Sequence, residues 1–271
     1  MKVTFVGGGN MANALIGGMI GRGFIAANIQ VIEVLSAARD RLAAQFAVRC
    51  AASAGELEAL GDIIVMAVKP QQMREAAVAI GNKVGKAMVL TIAAGICLAD
   101  LSRWLGGATA LVRCMPNTPA LIGEGITAAY AQPAVGASRR ADAEVILAPA
   151  GKIVWVESEA LLDPVTAVSG SGPAYVFYFI EAMQEAAIDL GLPPDTARAL
   201  VLQTFRGATE LASRSDESPA QLRVRVTSKG GTTEQALASF DRDGVKDAIR
   251  RGIHAANTRA GELARQFGKD A

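Results

Sequence analysis

The sequence predicts an α/β architecture: a doubly wound parallel sheet in the first part of the chain, followed by an all-α C-terminal part. Three observations carry this. Short apolar runs rich in β-branched residues alternate with helix-length segments up to Glu157. These runs are continuously apolar rather than alternating, as expected of strands covered on both faces. Beyond Glu157 no strand pattern recurs, and apolar residues step at helical spacing.

The elements follow in order. Residues 2–6 read as a strand ending in glycine, and residues 10–22 as a small-residue helix. Residues 29–33 form a second strand, and residues 36–46 a helix with Ser36 as N-cap. Residues 63–68, 88–92 and 110–114 are further strands, the first closed by Lys69-Pro70, and residues 126–130 and 153–156 extend the sheet. In the second part, residues 175–190 are apolar around most of the circumference, which predicts a helix buried on several sides. Residues 197–212 form another helix. In the last one Val245, Ala248, Ile249, Gly252, Ile253, Ala256, Ala260, Leu263 and Phe267 step by three and four. The expected division is 1–157 and 158–271. Helices this apolar would expose too much surface alone, which predicts a homodimer interface where Gly252, Ala256 and Ala260 allow close approach; packing of these faces within one subunit is the alternative.

Composition sets the class. Of 271 residues, 51% are hydrophobic and 20% charged, enough for a sizeable core and unlike a disordered chain. Lys and Arg total 27 against 26 Asp and Glu, which argues against a polyanion-binding surface, so no nucleic-acid partner is expected. Residues 3–21 and 164–180 are uncharged but broken by Gly7-Gly8-Gly9-Asn10 and by Ser169-Gly170-Ser171-Gly172-Pro173. Neither supplies the roughly 20 apolar residues of a membrane span, so the expectation is a soluble, cytoplasmic protein. Cys50, Cys97 and Cys114 lie far apart with no C-x-x-C pair and read as reduced thiols, neither a disulfide framework nor a metal site. His254 is the sole histidine and sits within the last helical pattern, where a structural role is expected.

Gly7, Gly8, Gly9, Asn10, Met11 and Ala12 fit a Rossmann-type dinucleotide fingerprint, with Ala12 in the place of the third glycine. Gly7 permits the tight turn, Gly9 lets backbone N–H groups approach a pyrophosphate, and the following helix offers its N-terminal end. Its place between a strand and a helix strengthens the match. Glu33, ending the second strand, stands where a carboxylate meets the adenosine ribose, which favours NAD(H); Arg39 nearby could hold a 2′-phosphate instead. Lys69, after Ala67 and Val68 and before Pro70, contacts cofactor or substrate, or caps its strand. Asn117, in the stiff Met115-Pro116-Asn117-Thr118-Pro119 turn, reads as scaffold. The hydroxyls of Ser169 and Ser171 serve as helix caps or as ligands. Ser228-Lys229-Gly230-Gly231-Thr232-Thr233-Glu234 places adjacent glycines before a helix start, exposing N–H groups suited to a carboxylate, with Ser228 and Thr233 as hydroxyl donors; a capped hinge is the alternative.

Gly-Gly-Gly-Asn-Met-Ala at 7–12, Ala-Val-Lys-Pro at 67–70, Met-Pro-Asn-Thr-Pro at 115–119, Ser-Gly-Ser-Gly-Pro-Ala-Tyr at 169–175 and Thr-Ser-Lys-Gly-Gly-Thr-Thr at 227–233 together resemble the pyrroline-5-carboxylate reductase family. The resemblance spans nearly the whole chain, and the last two motifs are its most specific part. It implies reduction of 1-pyrroline-5-carboxylate to proline, the last step of proline biosynthesis, with NADPH or NADH. It also implies a C-terminal dimerisation domain of interlocked helices, in some members assembled into larger rings. Carried over by position, residues 7–12 hold the pyrophosphate, Ala67, Val68, Lys69 and Pro70 line the cofactor, and Ala94 lies near the nicotinamide. Gly230, Gly231 and Thr232 hold the substrate carboxylate through N–H groups; Thr233, at the ring nitrogen, and Ser228 are the candidate catalytic residues. Two positions depart: Glu33 replaces a frequent serine, and Ala54 a common asparagine.

The chemistry agrees with the composition. Reducing a cyclic imine needs a hydride on carbon and a proton on nitrogen, and an iminium is already a good electrophile. Orienting the ring supplies much of the rate, so a chain with one histidine suffices. Two alternatives differ in class. A 3-hydroxyacid-type dehydrogenase would depend on Lys229, Lys246 or Lys269; a non-catalytic nucleotide-binding regulator would not turn over.

Overall fold

The computed structural model describes residues 1–269, Lys269 by its main chain only. Asp270 and Ala271, the end of the expected second part, lie outside the described residues, as does the Lys269 side chain.

The chain divides into two compact units, one of residues 1–171 joined by the stretch from Ala256 onward, the other Gly172–Ala255. The first unit carries an eight-stranded sheet in the order β3-β2-β1-β4-β5-β6-β7-β8. Its strands are β1 (Val3–Val6), β2 (Ile29–Ile32), β3 (Arg49–Ala51), β4 (Ile63–Met66), β5 (Met88–Thr91), β6 (Leu111–Met115), β7 (Gly125–Ala131) and β8 (Gly151–Trp155). From β3 to β6 every pairing is parallel, as the continuous apolar runs predict. β7 runs antiparallel to β6, with Arg113 opposite Tyr130, and β8 then pairs parallel to β7. The far edge of the sheet is therefore mixed rather than wholly parallel. A short link through residues 118–122 returns the chain directly beside β6, which only an antiparallel partner permits.

Helices cover both faces. On one side α1 (Asn10–Gly21), α2 (Ser36–Phe46) and α5 (Ala137–Leu147) supply Leu15, Ile16, Met19, Leu42 and Ile146 to a core with Phe5, Val31, Val65 and Leu90. On the other, α3 (Met73–Val84) and α4 (Leu98–Trp104) pack Met73, Ile80, Leu101 and Trp104 against Val6, Ile64, Met66 and Val89. Each of β1, β4 and β5 is buried along its whole length, so alternate side chains serve opposite cores. Ser36 does not cap α2: Leu35 holds the cap position without a side-chain bond, and Ser36 is the first helical residue.

After β8 the chain becomes helical earlier than the second unit begins. α6 (Leu162–Val165) runs into a π-helical turn, Thr166–Gly170, and then into α7 (Gly172–Asp189). Ser169 lies inside the π-helical turn and caps no helix start; its hydroxyl donates instead to the Val165 carbonyl, 3.2 Å away. The change in sequence pattern after Glu157 thus precedes the boundary between the compact units.

The second unit contains α7, α8 (Pro194–Ser213), α9 (Pro219–Arg225), α10 (Thr232–Arg242) and the first turns of α11 (Val245–Lys269). α9 has a reciprocal capping box between Ser218 and Gln221. Within one chain α7 is not buried on several sides: only Pro173 is buried, while Phe177 and Tyr178 are 63% and 69% exposed. Its apolar circumference is wider than one neighbouring helix covers. The last turns of α11 belong to the first unit, where Leu263 and Phe267 pack over Gly95 and Ala260 is buried. Ala260 therefore packs within its own chain, whereas Gly252 stays exposed and Ala256 half-buried.

Candidate active site

In the first unit, β1 and β4 are neighbours while their chain connections diverge, and ligands of open α/β sheets bind outside the carboxyl ends at such a switch point. There the turn after β1 meets the turn after β4. Gly7 has φ +99°, and a Cβ on it would lie 2.9 Å from the Ala67 carbonyl and the Val68 nitrogen. Both strand ends are pinned, Gly7 N–H donating to Ile32 O and Ala67 N–H to Val6 O, each at 2.8 Å. The structure thus brings Gly7, at the start of the turn, against Ala67 and Val68. Lys69 and Pro70 follow, Lys69 exposed at the start of a 3-10 turn.

This turn fits a dinucleotide pyrophosphate. A Cβ on Gly9 would meet nothing within 4 Å, so the backbone there faces open space. Gly9 is the N-cap of α1 without a side-chain cap, and the first intrahelical bond is Asn13 N–H to Gly9 O at 3.0 Å. The N–H groups of Asn10, Met11 and Ala12 therefore have no carbonyl in the helix and point toward the site, where the helix end favours an anion. Ala12 is fully buried beneath them. Asn13, which the sequence reading did not single out, braces the turn: its Nδ2 donates to the carbonyls of Gly8 and Gly9, both at 2.9 Å.

Glu33 lies against the same turn. Its Oε2 accepts the Gly8 N–H at 2.8 Å and its Oε1 the Leu35 N–H at 3.0 Å. Arg39 turns onto the main chain, donating from Nη1 to Glu33 O at 2.7 Å and to Val34 O at 2.9 Å. Ala94 is half-buried beyond β5, beside Gly95 at φ +73°, and the last turns of α11 support that loop. Ala54 is buried, and its carbonyl accepts from Lys83 Nζ at 2.7 Å.

In the second unit the Ser228–Glu234 segment forms a closed turn. Gly230 has φ +74°; its N–H donates to Glu234 Oε2 at 2.7 Å, and Gly231 N–H donates to Ser228 O at 3.0 Å. A Cβ on Gly231 would lie 2.5 Å from Ser228 Oγ, so only glycine lets this hydroxyl sit inside the turn. Gly231 is the N-cap of α10 without a side-chain bond. The Gly230 and Gly231 N–H groups are engaged within the turn, and the donors that helix geometry leaves without an intrahelical carbonyl are those of Thr232, Thr233 and Glu234. The Thr233 side chain is half-buried and that of Thr232 exposed.

Several residues serve as scaffold. Asn117 accepts the Ile126 N–H through Oδ1 at 2.9 Å and so ties the turn to β7. Arg113 on β6, 4% exposed, reaches Glu159 Oε1 at 3.1 Å and Asp163 Oδ1 at 3.3 Å. Glu159 also accepts the Leu98 N–H at 2.8 Å. Nothing in a strand pattern marks Arg113 as a network centre, because its partners lie 46 and 50 residues on. The cysteines are free thiols. Burial pushes Cys114 up to about 12; it also raises Cys97, against the lowering effect of Arg113, and Cys50, against Arg39. His254 lies exposed on α11.

Comparison with known proteins adds the family. Residues 159–263 match the model for pyrroline-5-carboxylate reductase dimerisation, and residues 2–95 the model for NADP oxidoreductase, coenzyme F420-dependent. The chain is 42% identical over 269 residues to the pyrroline-5-carboxylate reductase of Pseudomonas aeruginosa, covering 99% of this chain and 98% of that one. The solved pyrroline-5-carboxylate reductase of Coxiella burnetii is similar at a TM-score of 0.90 and 35% identity, over 97% of this chain and 98% of that one. The Plasmodium falciparum pyrroline carboxylate reductase, solved with NADP bound, is similar at 0.88 and 29% identity over the same shares. Identity of 42% across 99% of this chain and 98% of that relative places the chain in the pyrroline-5-carboxylate reductase family.

Proposed function

We propose that this chain reduces 1-pyrroline-5-carboxylate to L-proline with NADPH or NADH, the last step of proline biosynthesis. The observation that carries this is its 42% identity to a pyrroline-5-carboxylate reductase across 99% of the chain. When bound, a reduced nicotinamide supplies the hydride that the imine carbon accepts.

The chain's own residues bind and orient. The N–H groups of Asn10, Met11 and Ala12 hold the pyrophosphate, with Gly7, Gly8 and Gly9 allowing its approach and Ala67 to Pro70 and Ala94 flanking the dinucleotide. In the second unit the N–H groups of Thr232 and Thr233 hold the substrate carboxylate, in a turn that Gly230, Gly231 and Ser228 shape. The Thr233 hydroxyl hydrogen-bonds the ring nitrogen, which already carries its proton when its carbon accepts the hydride. No strong side-chain acid is needed, since protonated imine is the electrophile and fixed orientation lowers the barrier.

The working form in this reading is a homodimer made through the second unit. The match to a dimerisation model over residues 159–263 supports it, as do Phe177, Tyr178 and Leu200, all more than half exposed on one chain. Among the described residues no helix is long and apolar enough to cross a membrane. Free thiols support a cytoplasmic setting. The test is loss of the nicotinamide absorbance band on adding pyrroline-5-carboxylate, with proline identified as product. No turnover with either reductant overturns the proposal.

A further inference from the structure

We infer that Glu33 makes this chain select a dinucleotide whose adenosine ribose carries no 2′-phosphate. The inference rests on the reading that the first unit holds NADH or NADPH, and it assigns the choice between them to one carboxylate.

The geometry is specific. Glu33 ends β2 beside the glycine turn, and both of its oxygens are held by main-chain N–H groups, Gly8 at 2.8 Å and Leu35 at 3.0 Å. These bonds fix the carboxylate between the turn after β1 and the turn after β2. They leave its negative charge without a cationic partner at those positions. Each carboxylate oxygen keeps a further lone pair, so it can accept the ribose 2′- and 3′-hydroxyls. A 2′-phosphate, largely a dianion at neutral pH, would be a poor donor and would place like charge against a carboxylate held by two main-chain N–H groups.

The rest of the turn points the same way. Arg39, the guanidinium within reach in sequence, donates through Nη1 to the carbonyls of Glu33 and Val34 at 2.7 and 2.9 Å, which stiffens the turn. Val34 and Leu35 follow, 75% and 65% exposed and apolar, and offer a phosphate no charged side chain. Ser36 is the first residue of α2 and does not cap it. A neutral hydroxyl is a weaker phosphate partner than a charged one, and it does not offset a fixed carboxylate.

Two probes that lack the nicotinamide test this without turnover: ADP-ribose and 2′-phospho-ADP-ribose, titrated by calorimetry into the full-length protein. ADP-ribose is expected to bind at least about tenfold tighter, the scale of a close like-charge contact at a partly exposed site. Raising the salt should narrow the gap, because the repulsion is screened. Glu33→Gln keeps the shape and one acceptor but removes the charge, and should shrink the ratio about tenfold. Equal or tighter binding of the 2′-phosphorylated probe to the unaltered protein overturns the inference and leaves the reductase reading standing. An unchanged ratio in Glu33→Gln does the same. Binding of neither probe overturns both.

Discussion

Two glycines two residues apart should respond to the same methyl group in opposite ways. Gly7→Ala places a Cβ at φ +99°, 2.9 Å from backbone atoms of Ala67 and Val68 that belong to the β4 exit and cannot rotate aside. A non-glycine residue held in such a region costs about 1–3 kcal/mol before any clash is counted. Separating the β1 and β4 ends would add strain at the Ala67 N–H to Val6 O bond of 2.8 Å. We expect Gly7→Ala to lose at least about 2 kcal/mol in urea unfolding. Gly9→Ala meets nothing within 4 Å, and Gly9 already has φ −72°, which alanine adopts freely. There the entropy gain from restricting the unfolded chain and the poorer N-cap character of alanine oppose each other, each below about 1 kcal/mol. Stability should stay near that of the parent, while the methyl occupies the path of the pyrophosphate. Nucleotide affinity should then drop by about tenfold or more, roughly 1.4 kcal/mol. Urea unfolding and calorimetric titration with NADH and NADPH read the two effects separately. Gly9→Ala that binds either nucleotide normally, or Gly7→Ala that folds as well as the parent, would refute the reasoning.

The other predictions test different parts. Thr233→Ala should lower kcat by the equivalent of about 1–3 kcal/mol with nucleotide affinity unchanged, and Thr233→Ser should restore most of it; steady-state kinetics beside nucleotide titration decides. Arg113→Ala strands Glu159 and Asp163 beside a buried void and should cost about 3 kcal/mol in urea unfolding, more than Arg113→Lys, which keeps the charge. Cys114, at about 12 in the folded chain against 9.0 ordinarily, holds its proton longer folded than unfolded. Its contribution is complete below pH 9.0 and fades as pH rises toward about 12. Stability measured against pH should fall across that window less steeply in Cys114→Ala.

The glycine turn after β1 was largely legible in the residues. Glycines with a defined spacing after an apolar strand leave few backbone paths, and residues 7–12 adopt the one expected. The sequence marks Gly230-Gly231 as a turn, but not that Glu234 would take the Gly230 N–H and Ser228 the Gly231 N–H, which moves the open donors to Thr232 and Thr233. Such bonds depend on side-chain rotamers closing on the turn itself. β3, three residues long, left no pattern to read, and α9 too short a one. α7 was read as apolar around most of its circumference, and within one chain only its Pro173 is buried, so the intrasubunit alternative does not cover it.

Local pattern by itself determined the alternation of strands and helices, the change to helix after β8 and the glycine turn, because each depends on residues near in sequence. Pairing direction at the far edge, the return of the last turns of α11 to the first unit, and the meeting of Glu33 with Gly8 and of Arg113 with Glu159 were decided only by the tertiary structure. Those contacts join residues 25 and 46 positions apart, and their energies depend on which surfaces the fold leaves adjacent.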